Sequence, residues 1–231
     1  MRTATVTWLA LRELWISFRL IILLAAILAG GIAGALVPEL TLDPALLAIG
    51  LAGAAVLLAG MSARTLSRER SRGTTAWLAV RGVPRWVVIW AWLAAFAIPI
   101  AVGGAGAALL GWLSSAVDLP PPVDPVSYAA VATSAVAGVV VVVALGFTLG
   151  AILRPLPAML IAILLGAVMS GAGLLATNDA PILPTAGLGL LATLSTLDRP
   201  LADGVRSLGL ASAAIAVLIV LAAAFLESAD L

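Results

Sequence analysis

The chain has 231 residues, 63% of them hydrophobic and only 10% charged, with a formal net charge of +1, a balance that a single soluble core of this size cannot bury. Cys and His are absent and all 12 basic residues are Arg, which removes thiol and imidazole chemistry, the commonest zinc, haem and copper ligands, and the lysine of a G-x-x-x-x-G-K-[ST] phosphate loop. No cofactor or metal is expected, the net charge gives no sign of nucleic-acid binding, and any ATP is expected on a different chain.

The long runs are apolar on every face, not alternating, so they predict spanning helices and not barrel strands. The first element, Trp8 to Arg19, is an amphipathic approach segment. Trp8, Leu11, Leu14, Trp15 and Phe18 share one arc, with Arg12 and Arg19 at its edge, the pattern of an interfacial helix against membrane lipids with snorkelling arginines. Ala33-Gly34-Ala35 resembles a signal-peptide cleavage site, but the leading region is long, carries Glu13 and is amphipathic, which argues against cleavage.

Six spans follow, at about 20–37, 44–63, 86–113, 127–153, 156–177 and 207–226. Gly30/Gly34 and Gly146/Gly150 have the four-residue spacing that lets helices approach closely, within one chain or across a dimer seam. In the third span Pro99 with Gly103, Gly104 and Gly106 predicts a kink or break. Pro120-Pro121-Pro122 ends the turn before the fourth span, and Pro155 with Pro157 makes a tight hinge before the fifth. The stretch 180–197 is apolar but holds Pro181, Pro184, Gly187 and Gly189, which predicts short re-entrant or surface helices on the outer side and not a seventh span.

Arginine placement sets the orientation. Arg2, Arg12 and Arg19, then Arg64, Arg68, Arg70, Arg72, Arg81 and Arg85, then Arg154 fall on one side of such a map, while Glu39, Asp43, Asp118 and Asp124 fall on the other. The positive-inside rule makes the arginine side cytoplasmic, with both termini there and the chain in the cytoplasmic membrane. No ionisable residue stands inside the spans as drawn, so ion coupling lacks its usual groups. An enzyme is disfavoured by the lack of a Ser–His pair, of paired intramembrane Asp or of a metal site.

The loop 64–85 is the most informative segment. Gly73 is suited to a left-handed helix end, Thr74 to capping the next helix, and Gly82 with Pro84 to closing that short helix and starting the third span. Glu69-Arg70, then Gly73-Thr74, Trp77-Leu78 and Pro84-Arg85 resemble, in type and spacing, the loop of the permease subunits of type-2 ABC exporters. The N-terminal amphipathic helix, six spans and an interrupted segment before the last also fit that family. The resemblance implies an all-α polytopic membrane domain over 1–231, a second copy or paralogue, and separate ATP-binding cassette ATPase subunits. It implies further that Arg68, Glu69, Arg70, Gly73, Thr74, Trp77, Pro84 and Arg85 form the element docking on the ATPase. The alternatives are a loop that serves topology and anionic lipid binding alone, and a non-transporting assembly or regulatory subunit.

Overall fold

The computed structural model describes residues 2–16, 44–80, 82–115, 124–176 and 182–228. The first predicted span, 20–37, lies outside them, together with Phe18, Arg19 and the Gly30/Gly34 pair. The described residues are all-helical: α1 (Arg2–Ile16), α2 (Pro44–Ser71), α3 (Thr74–Val80), α4 (Arg85–Ser115), α5 (Pro125–Ile152), α6 (Pro155–Leu174), α7 (Ala186–Ala192), a 3₁₀ turn (Leu194–Thr196) and α8 (Pro200–Ser228). Five of them, α2, α4, α5, α6 and α8, are long and apolar enough to cross a membrane.

The central helix is α5. Over its most apolar stretch 72% of residues are buried, against 17% for α8, so α5 is ringed by protein while α8 keeps a broad face for lipid. Its start follows from local chemistry: Asp124 is the N-cap, its carboxylate accepting from the Ser127 N–H at 3.0 Å, and Pro125 fills the first turn. The helix ends at Leu153-Arg154, where Pro155 begins α6 as the predicted hinge.

Close approach, not hydrophobic driving force, organises helices inside a bilayer, and α5 displays this on several sides. A Cβ at Gly150 would lie 2.5 Å from the Ala63 carbonyl oxygen, and one at Gly146 would strike Ala59 and Ser62. The Gly146/Gly150 pair is therefore an intramolecular seam with α2. Hydroxyls join the helices by donating to main-chain carbonyls: Ser62 to Val143 at 3.0 Å, Thr148 to Leu218 at 3.1 Å and Tyr128 to Ala108 at 3.0 Å. Phe96 of α4 meets Phe147 edge-on at 5.4 Å between centroids. These pairings make α2, α5 and α8 mutually parallel, with α4 antiparallel to α5.

Three expectations are corrected. The break foreseen in the third span is not formed: α4 runs as one helix from Arg85 to Ser115 with Pro99 buried inside it, since a proline removes only one bond of the ladder. The last helix begins at Pro200, before the predicted 207, so Asp203 and Arg206 lie in its first two turns. Its 29 residues run about 43 Å against a hydrocarbon core of about 30 Å, which leaves room for those charges beyond it. Finally, α7 is no surface helix: every residue from Ala186 to Leu191 is buried, packed on α2, α5, α6 and α8. Its seven residues span only about 10 Å, too short for a crossing.

Candidate functional site

The segment 64–85 has the build its punctuation predicts. The α2 helix continues past the predicted end of its span to Ser71, and Gly73 then takes φ +74°. Its N–H donates to the Arg70 carbonyl at 3.0 Å while the Arg72 N–H donates to Arg68 at 2.9 Å, so the corner satisfies the last carbonyls of α2. Thr74 is already the first residue of α3, which places Gly73, not Thr74, at the position before the helix.

The far corner is a Schellman turn. Gly82 has φ +71°, and the Val83 N–H donates to Leu78 at 3.1 Å, six residues spanning the closure. Val83 and Leu78 both pack against the core, the hydrophobic contact that accompanies this motif. Pro84 then accepts from the Val87 N–H at 3.0 Å as α4 begins. Between its two left-handed corners, α3 packs on α2 and α4, and Val80 at its end is 90% exposed.

The arginines divide by role. Arg70 turns into the bundle and donates from Nη2 to the Leu153 carbonyl at 3.1 Å and from Nη1 to Ala151. Ser67, one turn earlier, donates to the same Leu153 oxygen at 2.7 Å. Arg85, across the loop, donates from Nη1 to the Leu226 carbonyl at 2.9 Å. Each guanidinium thus meets the carbonyl-rich C-terminus of another spanning helix, α5 or α8, where a positive charge is favoured. Sequence spacing holds a signal for this: from Ala59 and Ala63, helical steps along the α5-facing seam lead to Ser67 and Arg70.

Glu69 is buried, and its carboxylate lies 3.5 Å from exposed Arg72. Arg64, Arg72 and Arg154 are exposed at the same end of the bundle, and Arg68 is half-buried. That end also gathers the C-termini of α2, α5 and α8 and the N-termini of α4 and α6. The N-terminal helix differs in part from its predicted arc. Leu14 and Ala10 are buried with Leu11 packed beside the core, and α1 rests on α4. Trp8 and Trp15 are 67% and 61% exposed and Arg12 is exposed, so of the described residues in the predicted arc and at its edge these three keep the outward position expected of an interfacial helix.

One feature has no counterpart in the sequence reading. Between the later half of α4 and the first half of α5 lies an apolar cavity of about 610 Å³. Small residues, Ala101, Gly104 and Ala108 facing Ala129 and Ala132, form its walls, with Trp112 against Tyr128 at 5.2 Å near one end.

Together these features define an all-helical, membrane-embedded protein with a structured, arginine-rich loop at one end of its bundle. Comparison with protein-family models, with curated proteins and with solved structures finds no match for this chain.

Proposed function

We propose that the chain is the membrane-spanning subunit of an ATP-driven exporter, working with a second copy or paralogue and with separate ATPase subunits of the ATP-binding cassette type. The observation that carries this reading is the loop: a helix leaving the bilayer, a left-handed corner at Gly73, an outlying short helix and a second corner at Gly82. This is the form expected from its resemblance to type-2 ABC exporter permeases. Here 20–37 is the first of six spans, 180–197 re-enters from the outer side, and the arginine-rich end is cytoplasmic with both termini. The apolar cavity beside Trp112 and Tyr128 favours a hydrophobic cargo.

The exposed end of α3 is the place to test this. Glu69 is a poor probe because it is buried against its own chain. Val80 reaches outward, so Val80→Glu should leave membrane yield unchanged while the purified full chain loses a co-purifying ATPase activity and its cargo export; Val80→Ala should keep both. Saturable ATP binding by the isolated chain, or full co-purification and export by Val80→Glu, overturns the reading.

A further inference from the structure

We infer that Arg70 and Arg85 are paired positioning residues that fasten the two ends of the 72–84 loop to α5 and α8, so that the loop and these two helices move as one body. The inference rests on the proposed function only for what pushes the loop; the fastening itself stands on geometry.

A loop between α2 and α4 would ordinarily transmit displacement along the chain to α2 and α4. Here its two flanking arginines, Arg70 in the last turn of α2 and Arg85 at the first residue of α4, add a second route from those helices to α5 and α8. Arg70 grips the Ala151 and Leu153 carbonyls at the end of α5, reinforced by Ser67, and Arg85 grips Leu226 at the end of α8. The two gripped helices are parallel and already joined: Thr148 donates to Leu218 at 3.1 Å, and a Cβ at Gly204 of α8 would sit 3.0 Å from the Ala130 backbone. Between the grips, Gly73 and Gly82 hold φ values of +74° and +71°, which fix the loop's path at its corners. Each grip is a cation on the negative end of a helix dipole, in a site partly shielded from water, where such bonds hold best.

Both arginines stand at the ends of one loop, and both reach past the helix that follows or precedes them in sequence. Capping for stability alone would not require that coincidence. A push on α3 is delivered to α5, the most buried of the described long helices, and to α8, the least buried of them. The α4–α5 cavity is then bounded by two helices that the loop reaches by different routes, α4 through the chain and α5 through Arg70.

The chain contains no cysteine, so pairs of spin labels can be installed in the full-length protein in nanodiscs. One pair joins Val80→Cys to Glu227→Cys, reporting loop against α8; the other joins Val80→Cys to Ile152→Cys, reporting loop against α5. In the parent each pair should give one narrow distance distribution. Arg85→Gln should cost the α8 pair its single peak and leave the α5 pair narrow, and Arg70→Gln should do the reverse. Arg85→Lys should narrow the α8 pair relative to Arg85→Gln, since an ammonium still offers the Leu226 carbonyl a charged donor, and Arg70→Lys should restore the α5 pair only in part, because an ammonium cannot reproduce the two-carbonyl fork. Unchanged widths in both Gln variants overturn the inference, as does equal broadening of both pairs by either variant. A chain that exports nothing and recruits no ATPase would sink the exporter reading and leave these distributions as described.

Discussion

Gly73 carries its corner at φ +74° with open space where a Cβ would go, so a substitution there meets the backbone torsion alone. Gly73→Val should destabilise the corner by about 1–2 kcal/mol or more, because a β-branched residue is an outlier at positive φ. Gly73→Asn should cost less, since Asn visits the left-handed region. Limited proteolysis of the 72–84 loop would rank the two, with Val the more sensitive. At the opposite end of the bundle, Asp124 tests a cap. The hydroxyl and N–H of Ser127 hold its carboxyl below the usual carboxylate range. The folded pKa is thus lower than the unfolded one, so the cap contributes stability above the unfolded value and loses it as pH falls through the lowered folded value. Protection of the Ser127 amide against hydrogen exchange should therefore collapse in acid for the parent. Asp124→Ala should lack that protection at every pH, and Asp124→Asn should keep it at every pH.

The helices differ in how much room they leave one another, and glycine position reveals it. Gly150 faces the Ala63 backbone at 2.5 Å from a hypothetical Cβ, whereas Gly53 of α2 has nothing within 4 Å. Gly150→Val must push α5 off α2 and should destabilise the bundle by about 1–3 kcal/mol. Gly53→Ala relieves a flexible helix position at no steric cost and should stabilise by about 0.5–1 kcal/mol. Reversible unfolding in mixed micelles would resolve the two signs. Much of this layer is legible in sequence, because Gly73, Gly82, Pro84, Pro125 and Pro155 punctuate elements through local torsions that need no tertiary context. The facing of each side chain is less legible. Arg70 and Arg72 are alike as letters, yet the rotation of α2 against α5 turns one into the bundle and leaves the other exposed. The burial of α7 was hidden for a related reason: its glycines lower helix propensity, and only the packing shows that Gly187 lies directly on the Ser134 backbone. The α4–α5 cavity arises from two distant runs of small residues, which carry no signal until the helices are paired.

Across the whole molecule, direction of travel can be read chemically in a chain without native cysteines. Single cysteines at Arg72, Arg154 and Ser228 should react with an impermeant maleimide from one side of sealed vesicles, and those at Asp124 and Leu201 from the other. Reaction of Ser228→Cys from the Asp124 side would break the parallel arrangement of α5 and α8. That arrangement depends on α7 not crossing, and α7 has a consequence for biogenesis. A helix of seven residues leaves most of its backbone N–H and C=O groups without partners inside it, and lipid offers none. The turns at its two ends supply several of them, the Ala186 and Leu188 N–H groups donating to Leu183 and Thr185 and Gly189 accepting from Thr193. The packing is close: a Cβ at Gly173 or Gly189 would collide with main chain of the facing segment, and the Thr185 hydroxyl donates to the Met169 carbonyl of α6 at 2.8 Å. No translocase can therefore release this segment into the bilayer as it releases a long apolar helix. It has to wait for α2, α5 and α6 to meet, and then be drawn into the cleft they form. Maturation of the protein after synthesis accordingly has an order, with the long helices inserted first and α7 packed among them afterwards.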